Sequence, residues 1–175
     1  VDNFLDPNVF NINSVIGVPG LFKCWLKKNV GIINAIGTGV ADDKVVYSYV
    51  NRMIVYYLGE QPILNQVETY LCHDESQKKY VLENLSKLVV KPANASGGYG
   101  IMIGPKASSR EREEVAEKIK KNPREYIAQP LETLSTAPTI TEDDIQPRHL
   151  DLRPFVLSGK TTYVSTGGLT RVALR

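Results

Sequence analysis

At 175 residues, with 42% hydrophobic and 23% charged residues and a formal net charge of +2, the chain has an ordinary globular composition. Its acids and bases interleave, most densely over Arg110–Lys121, which argues against a nucleic-acid partner. No apolar run approaches the roughly 18 residues that span a bilayer, and no signal segment is recognisable. Cys24 and Cys72 stand apart without redox spacing, so a cytoplasmic protein with no membrane partner is expected. The chain opens at Val1 and closes inside the apolar T-R-V-A-L-R, from which a fragment of a longer protein is expected.

Turn chemistry dominates up to Gly20. Leu21, Phe22, Trp25 and Leu26 then recur at helical spacing, with Trp25 expected in the core. Val30–Ala35 reads as a buried strand, followed by a glycine turn over Gly37–Val40. Asp42 or Asp43 suits the N-cap of a helix whose apolar face comprises Val45, Val46, Tyr49, Val50, Met53, Ile54, Tyr57 and Leu58, with Gly59 as its stop. Asp42, Asp43 and Lys44 are read as cap and first turn, not as chemistry. Glu68–Cys72 is a candidate strand, and Tyr80–Leu85 a short helical segment.

Leu88, Val89 and Val90 form a β-branched run that delivers Lys91 at a strand end, where Pro92 lacks an amide proton. Gly97, Gly98 and Gly100 follow, and Ile101–Ile103 should return as the second strand of a hairpin. Two readings are open on these residues alone. The glycines can serve turn geometry, or they can bring backbone amides close to an anion beside the lysine. The spacing is neither a P-loop nor a dinucleotide fingerprint.

Downstream, Ser108 and Glu111 form a capping box, and Val115, Ala116 and Ile119 give that helix its buried stripe up to Lys121. Tyr126–Gln129 is a short strand, and Thr136–Gln146 reads as an exposed loop. From His149 three antiparallel strands are expected, with turns at Ser158–Gly159 and Gly167–Gly168. An α/β first half and an antiparallel second half give the class α+β. Cys24, Cys72, His73 and His149 are too dispersed for a zinc pattern.

Four motifs in series, V-V-K-P-A-N-A-S-G-G-Y-G, E-Y-I-A-Q-P, R-H-L-D-L-R-P-F-V-L and G-G-L-T-R-V-A-L, closely resemble the circularly permuted ATP-grasp proteins. So do D-N-F-L-D-P, S-V-I-G-V-P-G-L, N-A-I-G-T-G-V-A-D-D-K and Y-Y-L-G-E-Q-P-I-L before them. Relatives in this group are described as similar to glutathionylspermidine synthases. The resemblance implies an ATP-grasp-like fold in three parts. Residues 1–87 form an N-terminal α/β segment, 88–130 a nucleotide lid and 131–175 a truncated C-terminal antiparallel sheet, the whole combining a glycine-rich β-hairpin lid with an antiparallel meander packed with helices.

It also implies site residues. Lys91 would reach the α or β phosphate of ATP, and Ser96, Gly97, Gly98, Tyr99 and Gly100 would close over the phosphates. Tyr126–Leu131 would be an interlobe hinge, with backbone near Gln129, Pro130 and Leu131 reading adenine and Glu132 holding the ribose. Arg153 and Arg171 would face the γ phosphate or an acyl phosphate, as a planar donor fork suits. On the residues alone, Arg153 and Asp151 also read as a surface ion pair on one strand face.

Mg²⁺ is implied with ATP, and Asp2 is the one metal candidate. The activity implied for the parent is an ATP-dependent carboxylate–amine ligase acting on small-molecule or peptide carboxylates and amines, with this fragment inactive. The alternative is a catalytically silent nucleotide-binding or scaffolding module.

Overall fold

A computed structural model of the chain describes residues 4–34, 36–95, 97–142 and 144–173. It divides into two compact units, Val1–Leu131 and Glu132–Arg175. Among the described residues no helix is long and apolar enough to cross a membrane.

The first unit opens on a loop organised by one carboxylate. Asp6 is fully buried and accepts backbone N–H groups of Asn8 (3.0 Å), Gly20 (3.2 Å) and Phe22 (2.9 Å). Burial pushes its pKa up, but the Phe22, Asn8 and Gly20 amides outweigh that and hold it below the usual carboxylate value. These bonds fix the start of α1 (Leu21–Leu26). Trp25 is not in the core. It is partly exposed and stacks on Phe22 with ring centroids 5.8 Å apart, in an aromatic satellite that includes Phe10.

No strand forms over Val30–Asn34, and Ala35 lies outside the described residues. The run has apolar residues but no ladder partner among the described strands, and Ile33 is 84% exposed. A 3-10 turn over Thr38–Asp42 takes the place of the expected glycine turn. The expected single helix is divided into α2 (Lys44–Tyr47) and α3 (Val50–Leu58). At the break the Ser48 hydroxyl donates to the Val45 carbonyl at 2.7 Å, competing with the backbone ladder. Gly59 ends α3 at φ 65°, as its position predicts. None of the α3 side chains is buried.

Four antiparallel strands form the sheet of this unit, in the order β1 (Tyr70–Leu71), β4 (Tyr126–Pro130), β2 (Leu88–Pro92), β3 (Met102–Ile103). β2 and β3 are the expected hairpin, with Val89 opposite Ile103 and Val90 opposite Met102. Between β1 and β2 lies α4 (Glu75–Glu83), which begins five residues before the predicted Tyr80 because Asp74 caps it through the Gln77 amide at 2.9 Å. α5 (Ser109–Lys121) carries the predicted capping box. The Glu111 amide donates to Ser108 Oγ at 3.2 Å, and the Ser108 amide donates to Glu111 Oε2 at 2.7 Å.

Strand alternation gives this sheet two unlike faces. On one, Cys72, Leu88, Val90, Met102 and Ala128 pack with Val81, Leu85 and Ile119 from the α4 and α5 region. Burying each of the larger side chains contributes about 1.5–3 kcal/mol relative to exposure. Burial pushes the Cys72 thiol up to about 11, so it packs and does not react. At the edge of this core Gly104 has no room for a side chain, since a Cβ would lie 1.8 Å from the Leu85 carbonyl oxygen. On the other face a small cluster of Val45, Leu71, Ala93 and Ile127 sits at one end, and the polar side chains of Thr69, Gln129 and Lys91 continue the surface.

The second unit is an antiparallel meander of β5 (Thr136–Ile140), β6 (Ile145–Ser158) and β7 (Thr162–Val172). Thr136–Gln146 is therefore not a loop. Its prolines do not stop pairing because Pro138 sits opposite Pro147. The Leu150 amide donates to the Ser135 carbonyl (3.0 Å), which sets the hydrogen-bonded pairs at Ala137–Arg148 and Thr139–Gln146. Both prolines thus occupy a non-hydrogen-bonded pair, where no inward donor is needed.

The turn at Ser158–Gly159 joins β6 to β7 as predicted, but Gly167 and Gly168 do not form a turn. They lie inside β7 beside a register shift between Pro154 and Val156. A Cβ on Gly168 would lie 2.9 Å from the Arg153 carbonyl oxygen, so the glycine permits the bulge.

Candidate functional site

The polar face of the four-stranded sheet gathers two lysines at the base of the glycine loop. Lys91, next to last in β2, is partly buried and donates to Gln129 Oε1 at 2.6 Å. Gln129 lies two positions from Ile127, the residue opposite Lys91, so both side chains share this face. Its amide nitrogen donates to Thr69 Oγ1 at 2.8 Å, which fixes the amide with its oxygen toward the lysine. Gln129 is 7% exposed, and its amide oxygen and nitrogen are each engaged by one of these bonds.

The second lysine was not picked out from the sequence. Lys44 opens α2, and its Nζ donates to the carbonyls of Ala95 (2.7 Å) and Pro92 (2.9 Å), with Ala93 at 3.4 Å. It therefore holds the stretch of chain that leaves β2 for the glycine loop. The signal that could have found it is electrostatic. A cation at the first helical position opposes the helix dipole and is tolerated there when its side chain is needed elsewhere.

Both lysines are held by neutral oxygens. Among the described residues no carboxylate is within ion-pair distance of either Nζ. Burial lowers the Lys91 pKa, and the positive charge of Lys44 lowers it further. Burial also lowers that of Lys44, with Asp43 opposing the change. Two partly desolvated cations with no carboxylate in direct contact among the described residues favour an anionic ligand, which would in turn favour the charged form of both.

The loop beside them has the conformation its glycines allow. Gly97, Gly98 and Gly100 have φ of 70°, 82° and 72°, a left-handed run that side-chain-bearing residues rarely adopt. At Gly100 a Cβ would also meet Pro92 Cγ at 2.9 Å. Tyr99 is 81% exposed, and Ser96 lies outside the described residues.

Of the other predicted residues, Pro130 ends β4 opposite Leu88. Tyr126–Pro130 is an interior strand of the sheet, and Leu131 closes the first unit while Glu132 opens the second. β1 pairs with β4 only as far as Ala128, so the β1-side backbone edge of Gln129 and Pro130 has no strand neighbour among the described residues.

In the second unit Arg153 and Arg171 meet around one carboxylate. Asp151 lies directly opposite Arg171 and accepts its Nε (3.0 Å), Nη2 (2.5 Å) and backbone amide (3.1 Å), while Arg153 Nη2 lies at 3.4 Å. The Arg171 hydrogen bonds hold the Asp151 carboxyl well down, at about 2. The ion pair of Arg153 with Asp151 is present, as the two-residue spacing allows, but Arg171 is the stronger partner. Two cations share one anion, leaving a net positive patch.

For a divalent cation the described residues do not suffice. Among them no group of three or more His, Cys, Asp or Glu side chains comes together, and Asp2 lies outside them.

Residues 1–173 match the family described as circularly permuted ATP-grasp type 2. An uncharacterized protein of Synechocystis sp. is 55% identical over 99% of this chain and 36% of its own length. One from Mycobacterium tuberculosis is 50% identical over 99% of this chain and 32% of its own. A Frankia casuarinae protein named "Putative glutamate--cysteine ligase 2-2" is 49% identical over 90% of this chain and 18% of its own length. The chain thus spans about a third of the length of the first of these relatives. With helices and antiparallel sheets in the expected α+β arrangement, and with a family match over nearly its whole length, the chain belongs to the circularly permuted ATP-grasp type 2 family.

Proposed function

We propose that the polar sheet face binds the phosphates of ATP, and that the full-length protein is an ATP-dependent carboxylate–amine ligase. The observation that carries this is the pair Lys44 and Lys91, two partly buried cations whose hydrogen-bond acceptors among the described residues are neutral oxygens, beside three left-handed glycines. Lysine ammonium groups neutralise the α and β phosphates, and amides of the Gly97–Gly100 backbone close over them. The unladdered backbone edge at Gln129 and Pro130 takes the adenine. Gln129's side chain has a separate task, which is to hold Lys91.

In the reaction a carboxylate oxygen attacks the γ phosphorus and ADP leaves. The amine nitrogen then attacks the acyl carbon, phosphate departs, and one proton is lost from nitrogen as the amide forms. Guanidinium groups such as those of Arg153 and Arg171, both in the second unit, have the donor geometry that phosphoryl oxygens need in such a step. Mg²⁺ supplies charge neutralisation in such chemistry, and the described residues do not provide its carboxylates. The Frankia relative's name denotes a ligase that joins a carboxylate to an amine, which supports the reaction class. The acid and the amine are small molecules or peptides.

A second reading is favoured by one observation. Arg171 is already engaged through two nitrogens by Asp151, which leaves less of its fork for phosphate. A nucleotide-binding module without turnover would keep that pair closed. Amine-dependent ADP release by the full-length protein separates the two. Release that Lys91→Ala abolishes supports the ligase; ATP binding without release under any amine supports the silent module; no ATP binding with Mg²⁺ present ends both.

A further inference from the structure

We infer that Asp43 and Arg124 are a positioning pair that sets Lys44 and, through it, the entrance of the glycine loop. The inference rests on the nucleotide-site reading above. Neither residue is placed against ATP, and their effect on it runs through Lys44.

Three remote segments close into a ring of hydrogen bonds at this point. Arg124 Nη2 donates to Asp43 Oδ2 at 2.8 Å across 81 residues of chain. The other Asp43 oxygen accepts the Val45 amide at 2.8 Å and starts α2. Between them in sequence, the Lys44 amide donates to the Ala93 carbonyl at 3.1 Å while its Nζ reaches Pro92 and Ala95. The Ala93 amide returns to the Glu125 carbonyl at 2.8 Å, next to Arg124, and the ring is complete.

The carboxylate link leaves little slack, although the Arg124 side chain itself is 55% exposed. Asp43 is 8% exposed and both its oxygens are used, so the N-terminus of α2 is fixed to the Pro123–Glu125 turn. Below the ring, Val45, Ala93 and Ile127 are buried together and give the joint a packed floor. Arg124 and Val45 amide bonding outweigh burial and lower the Asp43 pKa, so the carboxylate stays ionised at neutral pH. A four-residue helix has little stability of its own. Its register, and hence the reach of Lys44, depends on what ties down its ends.

The test is ATP titration of the full-length protein with Mg²⁺, comparing wild type, Arg124→Gln, Lys44→Ala and the double variant. Arg124→Gln should weaken ATP binding about tenfold. In the Lys44→Ala background it should add nothing, because the lysine it positions is gone. A purely structural role would lower the melting temperature and weaken binding equally in both backgrounds. Should Arg124→Gln fail to fold, Asp43→Asn serves, since an asparagine oxygen still caps Val45 while the ion pair is lost.

Wild-type affinity in folded Arg124→Gln or Asp43→Asn overturns the inference, as does an equal loss with and without Lys44. If wild type binds ATP and Lys91→Ala does not, the nucleotide reading survives that failure. If wild type itself binds no ATP, the reading falls and the inference with it.

Discussion

The two units hold their like charges in opposite ways. On the polar face of the first, Lys44 and Lys91 are steadied by carbonyl and amide oxygens, with no carboxylate within ion-pair distance among the described residues. On the second, Arg153 and Arg171 share the carboxylate of Asp151 and are partly neutralised. Neutral acceptors orient a cation without lowering its attraction for an incoming anion, whereas a carboxylate does both. On the proposed reading the first unit would therefore be the stronger anion site of the two, and the second would require Asp151 to yield before its arginines were fully available.

The largest effect that would break this contrast is loss of a lysine. Lys91→Ala removes a charged hydrogen-bond donor and should weaken ATP binding about a hundredfold, measured by calorimetry on the full-length protein. Next comes converting the first unit to the chemistry of the second. Gln129→Glu places a carboxylate on Lys91 with almost no change of shape, and should weaken ATP binding about tenfold. It should also raise the Lys91 pKa toward or above its ordinary value, readable by NMR of the lysine side chain. Unchanged affinity in Gln129→Glu would mean that the uncompensated charge is not what draws the ligand.

A pH titration sharpens the other side of the comparison. The Asp151 pKa falls from 3.8 to about 2 in the folded chain. A group depressed on folding stabilises the native state above its unfolded pKa and loses that contribution as pH falls through the folded value. The meander should therefore weaken between about pH 4 and pH 2, and Asp151→Asn should remove that dependence. Circular dichroism of wild type and variant over this window checks it. The smallest effect expected is a control. Arg110→Ala breaks an exposed pair with Glu114 (3.0 Å) and should change stability by less than about 0.5 kcal/mol, with no change in ATP binding.

Sequence patterns disclosed the features fixed by near neighbours. The capping box at Ser108 and Glu111, the Gly59 stop and the β2–β3 hairpin depend on residues a few positions apart, and all are present. What failed depended on partners far along the chain. Val30–Asn34 has strand-forming residues but no ladder to join among the described strands, and Trp25 has aromatic neighbours in a satellite instead of the core. Thr136–Gln146 looked like a loop because of Pro138, and only the register opposite Pro147 shows why the strand tolerates it. The Gly167–Gly168 pair marked a bulge, not a turn, since both chemistries call for glycine.

The site was legible in the same proportion. Lys91 and the glycines stood out through local spacing, whereas Lys44 reaches carbonyls 48 to 51 residues away and looked like the first turn of a helix. The resemblance speaks only for the backbone near Gln129, and the bond from Lys91 to its side chain depends on a partner 38 residues away.

The most direct test is calorimetric titration of ATP with Mg²⁺ into the full-length protein, with wild type, Lys44→Ala and Lys91→Ala in parallel. Saturable binding by wild type, with each folded variant weakened at least about tenfold, is the predicted result. Wild-type affinity in both folded variants, or no binding by wild type, would contradict the assignment of the lysine-bearing sheet face as the phosphate site.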